Sequence, residues 1–429
     1  MNLSENLRLF HEGLTPWVRN RQHPNWIRLH EDQVFYYRSQ NHGQRLVLSI
    51  AFRFSCRSDD HQFALFYPYS YTKLVNFVTR WSIEVSRRLE VGRQSRRSAK
   101  RDLQHRSPKL VASTESTGSD QLRTRSSLGC RKFERYNYET GDEVNLNVET
   151  IGMSKLSKPI HFISIKVSTG ERKPQVIIAC RSAGNLDGAA SLVCQGMMDY
   201  LLSDSPVAEV IRQNIDFSFV PMIDPDSVWV GNSRTDLMGQ TNWCSKLVET
   251  NRSIYSNLIK MMDIFKNICA NCDRAVMLEL RINLSLIGSR ICGHHYEDGL
   301  RMEQHLSFPR ILARFADDFY MENCIFTRPV SVSSHLFDSV APAKGTDRYS
   351  LEVSPFAYYK RSLTERNYEE YGELRYLTLG KALVYSLLEL LKPEDKILPH
   401  CVSELLDSFH PRADDIDDLL LDIKCDRPD

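Results

Sequence analysis

The sequence lacks the features that mark membrane-spanning and exported proteins. Nowhere in its 429 residues does an apolar run approach the ~20 residues needed to cross a bilayer. Residues 1–7 have neither the basic flank nor the apolar core of a signal peptide. The 11 cysteines are scattered and odd in number, which favours reduced thiols over a disulfide framework. We therefore expect a cytoplasmic protein that makes no membrane contact.

The charge balance excludes a strong general attraction to nucleic acid. The formal net charge is +1 at pH 7, so neither sign dominates the whole chain. Opposite charges are nevertheless concentrated in a basic stretch at 87–106 and an acidic stretch at 414–422. Residues 83–132 are rich in Arg, Ser, Gln and Thr and lose apolar periodicity. We predict a basic, disordered linker there and an acidic C-terminal tail at 396–429.

Hydrophobic patterning divides the remaining sequence into two folded regions. Residues 1–82 contain β-branched and aromatic runs separated by turn residues, and they are predicted to form a small all-β sandwich. Between 133 and 395, strand patterns alternate with helical patterns, which is typical of a three-layer α/β/α domain. The expected strands are 162–167, 175–180, 217–222, 275–280 and 286–291, and the expected helices are 188–203, 250–268, 301–320 and 368–392.

Several short motifs occur along the chain in a fixed order. They are FALFYPYSYT at 63–72, SLVCQG at 191–196, PMIDPDSV at 221–228, GNSR at 231–234 and YSLE at 349–352. In this order they resemble the motifs of the cytosolic carboxypeptidases, a branch of the zinc metallocarboxypeptidases whose characterised members trim glutamates from tubulin tails. The resemblance implies a mixed sheet flanked by helices after the β-sandwich. Relatives carry further strands before the point that corresponds to Met1, so we expect the sandwich to be incomplete.

The resemblance also implies a zinc site, but the residues at its ligand positions are changed. A zinc peptidase needs three protein ligands, an open coordination position and a carboxylate base. Alignment through the helix at 191–196 places Gly184 and Asp187 on the first two ligand positions and Arg281 on the third. Gly184 has no side-chain donor and Arg281 is a permanent cation, so only Asp187 could bind a metal. We predict a metal-free pocket in which Arg281 pairs with Asp187.

Other positions of the family site are kept unevenly. Glu352 matches the catalytic base, and Arg234 matches the arginine that stabilises the oxyanion of the reaction. Asn242 lies in a shortened remnant of the segment that binds the substrate's carboxylate, and the arginine of that segment is absent. The resemblance therefore implies Glu352 and Arg234 as catalytic residues, and Arg234, Arg281 and Asn242 as substrate-binding residues.

Two other places in the sequence hold residue types that bind metals. His294 and His295 are adjacent, but neighbouring side chains in a strand point to opposite faces, which hinders chelation. Cys269 and Cys272 form a single C-x-x-C pair with no second pair beside it, which is a weak signal for zinc or redox chemistry.

Two functions remain open from the sequence. The first is a catalytically impaired member of the family that binds acidic peptide tails, including those of tubulin, through Arg234 and Arg281. The alternative is an active zinc-dependent carboxypeptidase, a protein deglutamylase, with an altered metal site. Zinc is the cofactor of the family, and we expect it to be absent or weakly bound here. A scaffold without a peptide pocket is a third reading, favoured if Arg234 and Glu352 share no cavity.

Overall fold

The described residues of the computed structural model cover both predicted folded regions. They are residues 2–3, 10, 12–54, 59–105, 145–168, 171–182, 184–240, 251–327, 337, 345–359 and 368–392. Three predicted features lie outside them, namely Asn242, the acidic tail at 396–429 and the part of the predicted linker at 106–132.

The N-terminal residues form two antiparallel sheets of three strands each. The six strands are β1 (Asn2–Leu3), β2 (Trp17–Arg19), β3 (Ile27–Arg28), β4 (Val34–Ser39), β5 (Arg45–Ile50) and β6 (Gln62–Ala64). One sheet has the order β1–β5–β4 and the other has the order β3–β2–β6. Gly43, with a φ of +63°, turns the chain between β4 and β5. These sheets are the small all-β unit that the sequence predicts.

Helix α1 (Tyr71–His105) contradicts the prediction that a disordered linker begins at residue 83. Glu84 accepts hydrogen bonds from Arg87 and Arg88, and pairs spaced by three or four residues support the part of the helix in which apolar residues are few. Arg88 also donates to the carbonyl of Leu202 at 2.8 Å, which ties the helix to the second region. The prediction is wrong over 83–105 because it relied on apolar periodicity, whereas Arg, Lys, Gln and Glu are themselves strong helix formers.

A mixed sheet of eight strands forms the centre of the second region. Its strands are β7 (Asn145–Met153), β8 (Pro159–Lys166), β9 (Gln175–Cys180), β10 (Asp216–Val220), β11 (Ala275–Ile282), β12 (Ser289–His294), β13 (Ile325–Thr327) and β14 (Thr346–Val353). Their order in space is β13–β12–β14–β11–β9–β10–β8–β7. The central strands β14, β11, β9 and β10 are parallel, whereas β12 and β8 run antiparallel to their inner neighbours. A separate antiparallel pair consists of β15 (Ala357–Tyr359) and β16 (Tyr368–Glu370).

Six α-helices follow α1 in the described residues. They are α2 (Gly188–Leu201), α3 (Pro206–Asn214), α4 (Pro225–Val230), α5 (Ser256–Ala270), α6 (Gly299–Phe315) and α7 (Glu373–Leu391). Helices α2 and α7 approach closely at two glycines, since a Cβ on Gly196 or Gly380 would lie 2.2 Å from a backbone carbonyl of the other helix. None of the helices in the described ranges is both long and apolar enough to cross a membrane.

Alternate residues of the central strands face two separate hydrophobic cores. On β9, Val176 and Ile178 belong to the larger core with α2, α6 and α7, whereas Ile177 and Ala179 belong to the smaller core with α5. Helices therefore cover both faces of the sheet, which confirms the predicted α/β class with a three-layer arrangement.

The predicted and observed bounds of the helices and strands differ by a few residues at the ends of the elements. Strand β9 has the predicted bounds, whereas the strand predicted at 286–291 is β12, which begins at Ser289. The helix predicted at 301–320 is α6, which begins after Asp298 and ends at Phe315. Asp298 determines the start of α6 because its carboxylate accepts the N–H of Leu300 at 3.2 Å as an N-cap.

Candidate functional site

The predicted site lies where three neighbouring parallel strands end. β9 ends at Cys180, β11 at Ile282 and β14 at Val353. The chain passes from β9 into α2 through a short 3-10 turn, Gly184–Asp187. In α/β sheets of this kind, ligands bind beyond the carboxyl ends of the strands. Three of the predicted positions, Gly184, Asp187 and Arg281, are therefore at the end of the sheet where a ligand site is expected.

Strand register places polar side chains in two rows on one face of the sheet. Residues directly opposite each other on paired strands share a face, as do residues two apart along one strand. One row contains Arg281, Glu352 and Arg290, and the other contains Glu279, Ser350 and Cys292. In each row the β14 residue lies between its β11 and β12 partners. Arg281 and Glu352 are thus brought side by side, as the motif order predicts.

Asp187 is a buried carboxylate that is already engaged by the backbone. It is 1% exposed, and its Oδ1 accepts the N–H of Ile282 at 2.9 Å, which links the 3-10 turn to the end of β11. Burial raises the pKa of Asp187, and the nearby charge of Arg281 and the hydrogen bond from Ile282 oppose that rise without cancelling it. Asp187 therefore lies within electrostatic reach of Arg281, as predicted.

Arg281 lies among three carboxylates. Its Nε is 3.9 Å from Oε1 of Glu279, and the two side chains are 18% and 1% exposed. Burial lowers the pKa of Arg281, but the charges of Glu279, Asp187 and Glu352 raise it by more, so the guanidinium stays charged. Glu279 is the strongest of these partners, which corrects the simple pair of Arg281 with Asp187 that the sequence predicts.

Glu279 is also fixed by two hydroxyl groups. Ser182 Oγ donates to its Oε1 at 2.9 Å, and Ser350 Oγ donates to its Oε2 at 3.3 Å. A buried carboxylate with hydrogen bonds to both oxygens and a cation beside it is satisfied without a metal.

Glu352 accepts hydrogen bonds from Asn283 and from Arg290 on the neighbouring strand β12. Its Oε2 accepts hydrogen bonds from Asn283 Nδ2 at 2.7 Å and from Arg290 Nε and Nη2 at 2.9 and 2.8 Å. Burial raises the pKa of Glu352, but the charge of Arg290 and the hydrogen bonds from Asn283 and Arg290 lower it below its ordinary value. Glu352 is therefore a stable anion that accepts hydrogen bonds, which makes it a weak base.

Gly184 adopts a conformation that a residue with a side chain could not take here without a shift. Its φ is +59°, in the left-handed region that favours glycine. A Cβ added at this position would lie 2.7 Å from the carbonyl oxygen of Asn232. The position therefore provides close backbone packing, and no side chain of any type projects from it.

Arg234 lies in a segment that packs directly on this turn. Backbone N–H groups at 185 and 186 donate to the carbonyls at 232 and 233 at 2.9 and 2.8 Å, immediately before Arg234. Arg234 is an exposed residue beside the turn. Asn242 lies outside the described residues, and its role in substrate binding stays a prediction.

The PMIDPDSV motif has an evident structural role. Asp224 caps α4 by accepting the N–H of Ser227 at 3.1 Å. Asp226 accepts Ser154 Oγ at 2.5 Å and the N–H of Leu156 at 3.1 Å, so it anchors the loop between β7 and β8. Both carboxylates are buried and committed to these contacts.

The residues at the ligand positions that the resemblance implies do not fit zinc. Zinc takes three donors of the Cys, His, Asp or Glu type, with one position left open in a catalytic site. Gly184 offers no donor, and Arg281 places a positive charge where a ligand is required. One carboxylate oxygen of Asp187 already accepts a hydrogen bond from the N–H of Ile282. Over the described ranges, no group of three or more such side chains is arranged to hold a metal ion.

The other metal-binding candidates have local roles. Cys272 Sγ donates to the carbonyl of Cys269 at 3.5 Å, and burial raises the pKa of both thiols. His294 is the buried last residue of β12, and His295 follows the strand.

Four residues that build the site are not among the predicted ones: Glu279, Asn283, Arg290 and Arg181. The polar alternation at the ends of β11, β12 and β14 could have identified the first three. Arg181 is fully buried with a φ of +64°, and its Nη2 donates to the carbonyl of Tyr69 at 3.1 Å. Burial lowers the pKa of this guanidinium, while Asp187 and Asp224 oppose that shift. No local sequence signal marks Arg181.

Comparison with known sequences identifies related curated proteins. No protein-family model matches the chain. It is 25% identical over 405 residues to mouse cytosolic carboxypeptidase 6, and 24% identical over 405 residues to the human protein of the same name. These alignments cover 91% of this chain but 62% of the mouse protein and 67% of the human protein. The chain thus spans about two thirds of the length of these relatives.

Comparison with solved structures supports the same fold. A metallo-carboxypeptidase from Burkholderia cenocepacia has a TM-score of 0.60 at 14% identity, with 91% of this chain and 84% of that chain covered. A metallo-carboxypeptidase from Pseudomonas aeruginosa has a TM-score of 0.56 at 14% identity, with 89% and 82% covered. At this identity the likeness establishes the fold alone.

Proposed function

We propose that this chain, which is similar in sequence to the cytosolic carboxypeptidases, is a member of that family without catalytic activity. In this proposal an internal network of ion pairs replaces the metal site. The observation that carries it is Arg281, which lies at the third ligand position among Glu279, Asp187 and Glu352. A permanent cation there repels a divalent metal and at the same time satisfies the buried carboxylates.

The remaining catalytic groups support the same conclusion. A carboxylate base in a zinc peptidase takes a proton from metal-bound water. Glu352 is instead fixed by Arg290 and Asn283, which hold its pKa below the ordinary value and so reduce its basicity. Without a metal to activate water, the exposed Arg234 has no oxyanion to stabilise.

We also propose that the surface beside the turn binds acidic peptide tails, with those of tubulin among the candidates. The exposed position of Arg234 next to the site supports this, since guanidinium groups bind carboxylates well. The relatives' names carry the word cytosolic, which agrees with the cytoplasmic location that we propose.

Zinc content measured together with peptide hydrolysis tests the loss of catalysis. After incubation with zinc and desalting, we expect elemental analysis to find far less than one zinc per chain. A peptide ending in several glutamates should remain uncut. An Arg281→His variant should behave in the same way, because one restored ligand leaves zinc with too few donors.

A matched pair of variants makes the zinc measurement specific. Asp187→Asn alters the candidate site, whereas Cys272→Ser alters a thiol outside it. Stoichiometric zinc that is lost in Asp187→Asn and kept in Cys272→Ser, together with cleavage of the peptide, would overturn the proposal in favour of an active deglutamylase.

Peptide affinity tests the binding of acidic tails. Binding of a polyglutamate peptide should weaken steeply as salt rises, because surface contacts between arginine and carboxylate are screened. It should also weaken in Arg234→Ala. Affinity that is indifferent to both changes would contradict a role in binding acidic tails.

A further inference from the structure

The contacts of Glu352 are those with which proteins bind the carboxylate of a ligand. Three N–H groups from Arg290 and Asn283 converge on its Oε2 at 2.7–2.9 Å. Arg281 is opposite Glu352 on the neighbouring strand and adds a second positive charge. Charge-assisted hydrogen bonds of this length are the strong class used for carboxylate recognition.

We propose that Arg281, Arg290 and Asn283 form a carboxylate-binding site and that Glu352 is its internal occupant. The ligand class is a free carboxylate, either a small monocarboxylate or a carboxylate of an acidic peptide. The site for small carboxylates follows from the geometry alone, whereas its use by peptides rests on the proposed function.

Asn283 and Arg281 are positioned by contacts that do not involve Glu352, and strand pairing positions the backbone of Arg290. Asn283 Oδ1 accepts the N–H of Ser285 at 2.8 Å, which turns its Nδ2 away toward Glu352. Arg281 is held beside Glu279 at 3.9 Å. Arg290 belongs to β12, whose pairing with β14 sets its position. A site whose donors are fixed in advance loses little entropy when a ligand replaces the internal carboxylate.

An internal occupant has a consequence for affinity. Glu352 is tethered beside its donors, so it competes with an external carboxylate at a high effective concentration. Removing it should reveal binding that the intact protein suppresses. The intact protein should bind carboxylates weakly at these donors, and the variant should bind them well.

The first experiment is rescue of a Glu352→Ala variant by acetate, followed by thermal unfolding. The variant should have a lower Tm than the intact protein, because Arg281 and Arg290 lose their shared anion. Sodium acetate should raise its Tm with a saturable dependence and recover at least about half of the loss, as expected for a ligand that binds only the folded state. Sodium chloride and neutral acetamide at equal concentrations should not do so.

Two control variants make the rescue specific. Glu303 forms a comparable pair with Arg310 on the surface, with 60% of the Glu303 side chain exposed, so Glu303→Ala should show no acetate response. Adding Arg290→Ala to Glu352→Ala should abolish the response. A rise in Tm that is equal for acetate and chloride, or that survives loss of Arg290, would overturn the proposal.

A second variant covers the case in which Glu352→Ala fails to fold. Glu352→Gln keeps the shape and removes the charge, and it should bind N-acetyl-triglutamate about tenfold more tightly than the intact protein, a gain of about 1.4 kcal/mol. Equal or weaker binding would refute competition by Glu352. Acetate rescue without any triglutamate binding would support the carboxylate site and contradict the proposed binding of acidic tails.

Discussion

Replacing Arg281 by methionine should be among the most destabilising single changes at this site. The side chain is 18% exposed and lies beside Glu279, which is 1% exposed. Methionine keeps much of the volume of arginine but removes the cation that Glu279 and Asp187 share. Breaking a buried ion pair from one side leaves an uncompensated charge and costs about 3–5 kcal/mol. Because both side chains are mostly buried, the loss of folding free energy in Arg281→Met should fall within that range.

Thermal unfolding measures this loss directly. A change of 1 kcal/mol shifts the Tm of a large domain by about 2 °C, so Arg281→Met should lower the Tm by about 6–10 °C. Arg310→Met is the matched control, because its partner Glu303 is 60% exposed and a surface pair is worth at most about 1 kcal/mol. Equal shifts for the two variants would refute the idea that Arg281 replaces the charge of a metal.

A double variant separates lost charge from lost packing. If the cost of Arg281→Met comes from stranded negative charge, adding Glu279→Gln should restore part of the stability. The two side chains are close enough for their effects to be non-additive. A double variant that loses the sum of the two single losses would show that packing, rather than charge, explains the effect.

Two further predictions concern the backbone and the pH dependence. Gly184→Ala should destabilise the fold by more than Gly43→Ala. Both glycines have a positive φ, so both variants incur a left-handed strain of about 1–2 kcal/mol, but only the Cβ at Gly184 would meet a backbone oxygen. Equal losses of stability in the two variants would contradict this contact. Because the pKa of Glu352 is lowered from 4.5, its stabilisation is complete above pH 4.5 and is lost as pH falls through the folded-state value. The stability difference between the intact protein and Glu352→Gln should therefore shrink in acid, and a difference that is constant down to pH 2 would exclude this linkage.

Much of the fold could be predicted because it depends on local periodicity. β9 is a continuous apolar run and was located at its observed bounds, since a strand buried on both faces leaves this pattern. No part of helix α1 is predicted, because the sequence assigns residues up to 82 to the all-β region and residues from 83 to a disordered linker. The second half of the helix has few apolar residues and depends on propensity and on pairs such as Glu84 with Arg87. The buried stripe of Leu74, Phe77 and Val78 could have identified the first half of α1, whereas the sequence of its second half has no such stripe.

The position of the candidate site in the fold could be predicted, but the ion pairs and hydrogen bonds within it could not. The order of the motifs is sufficient to predict that Arg281, Asp187 and Glu352 lie near the ends of neighbouring strands. The partners Glu279 and Arg290 depend on which residues of β11, β14 and β12 lie opposite one another. That register is fixed by tertiary pairing over more than 60 residues of separation, as between Arg290 and Glu352, which no short motif encodes.

In the metal-free site that we propose, the residues at the implied ligand positions stabilise one another. Arg281 compensates Glu279 and Asp187, whose burial would otherwise be costly. Glycine at 184 lets the turn pack on the carbonyl of Asn232, a contact that a larger side chain would disrupt. Reversal of any single position therefore leaves a stranded charge or a clash without completing a set of three zinc donors. A return to metal binding would require several changes together, and each intermediate would be less stable than the present arrangement.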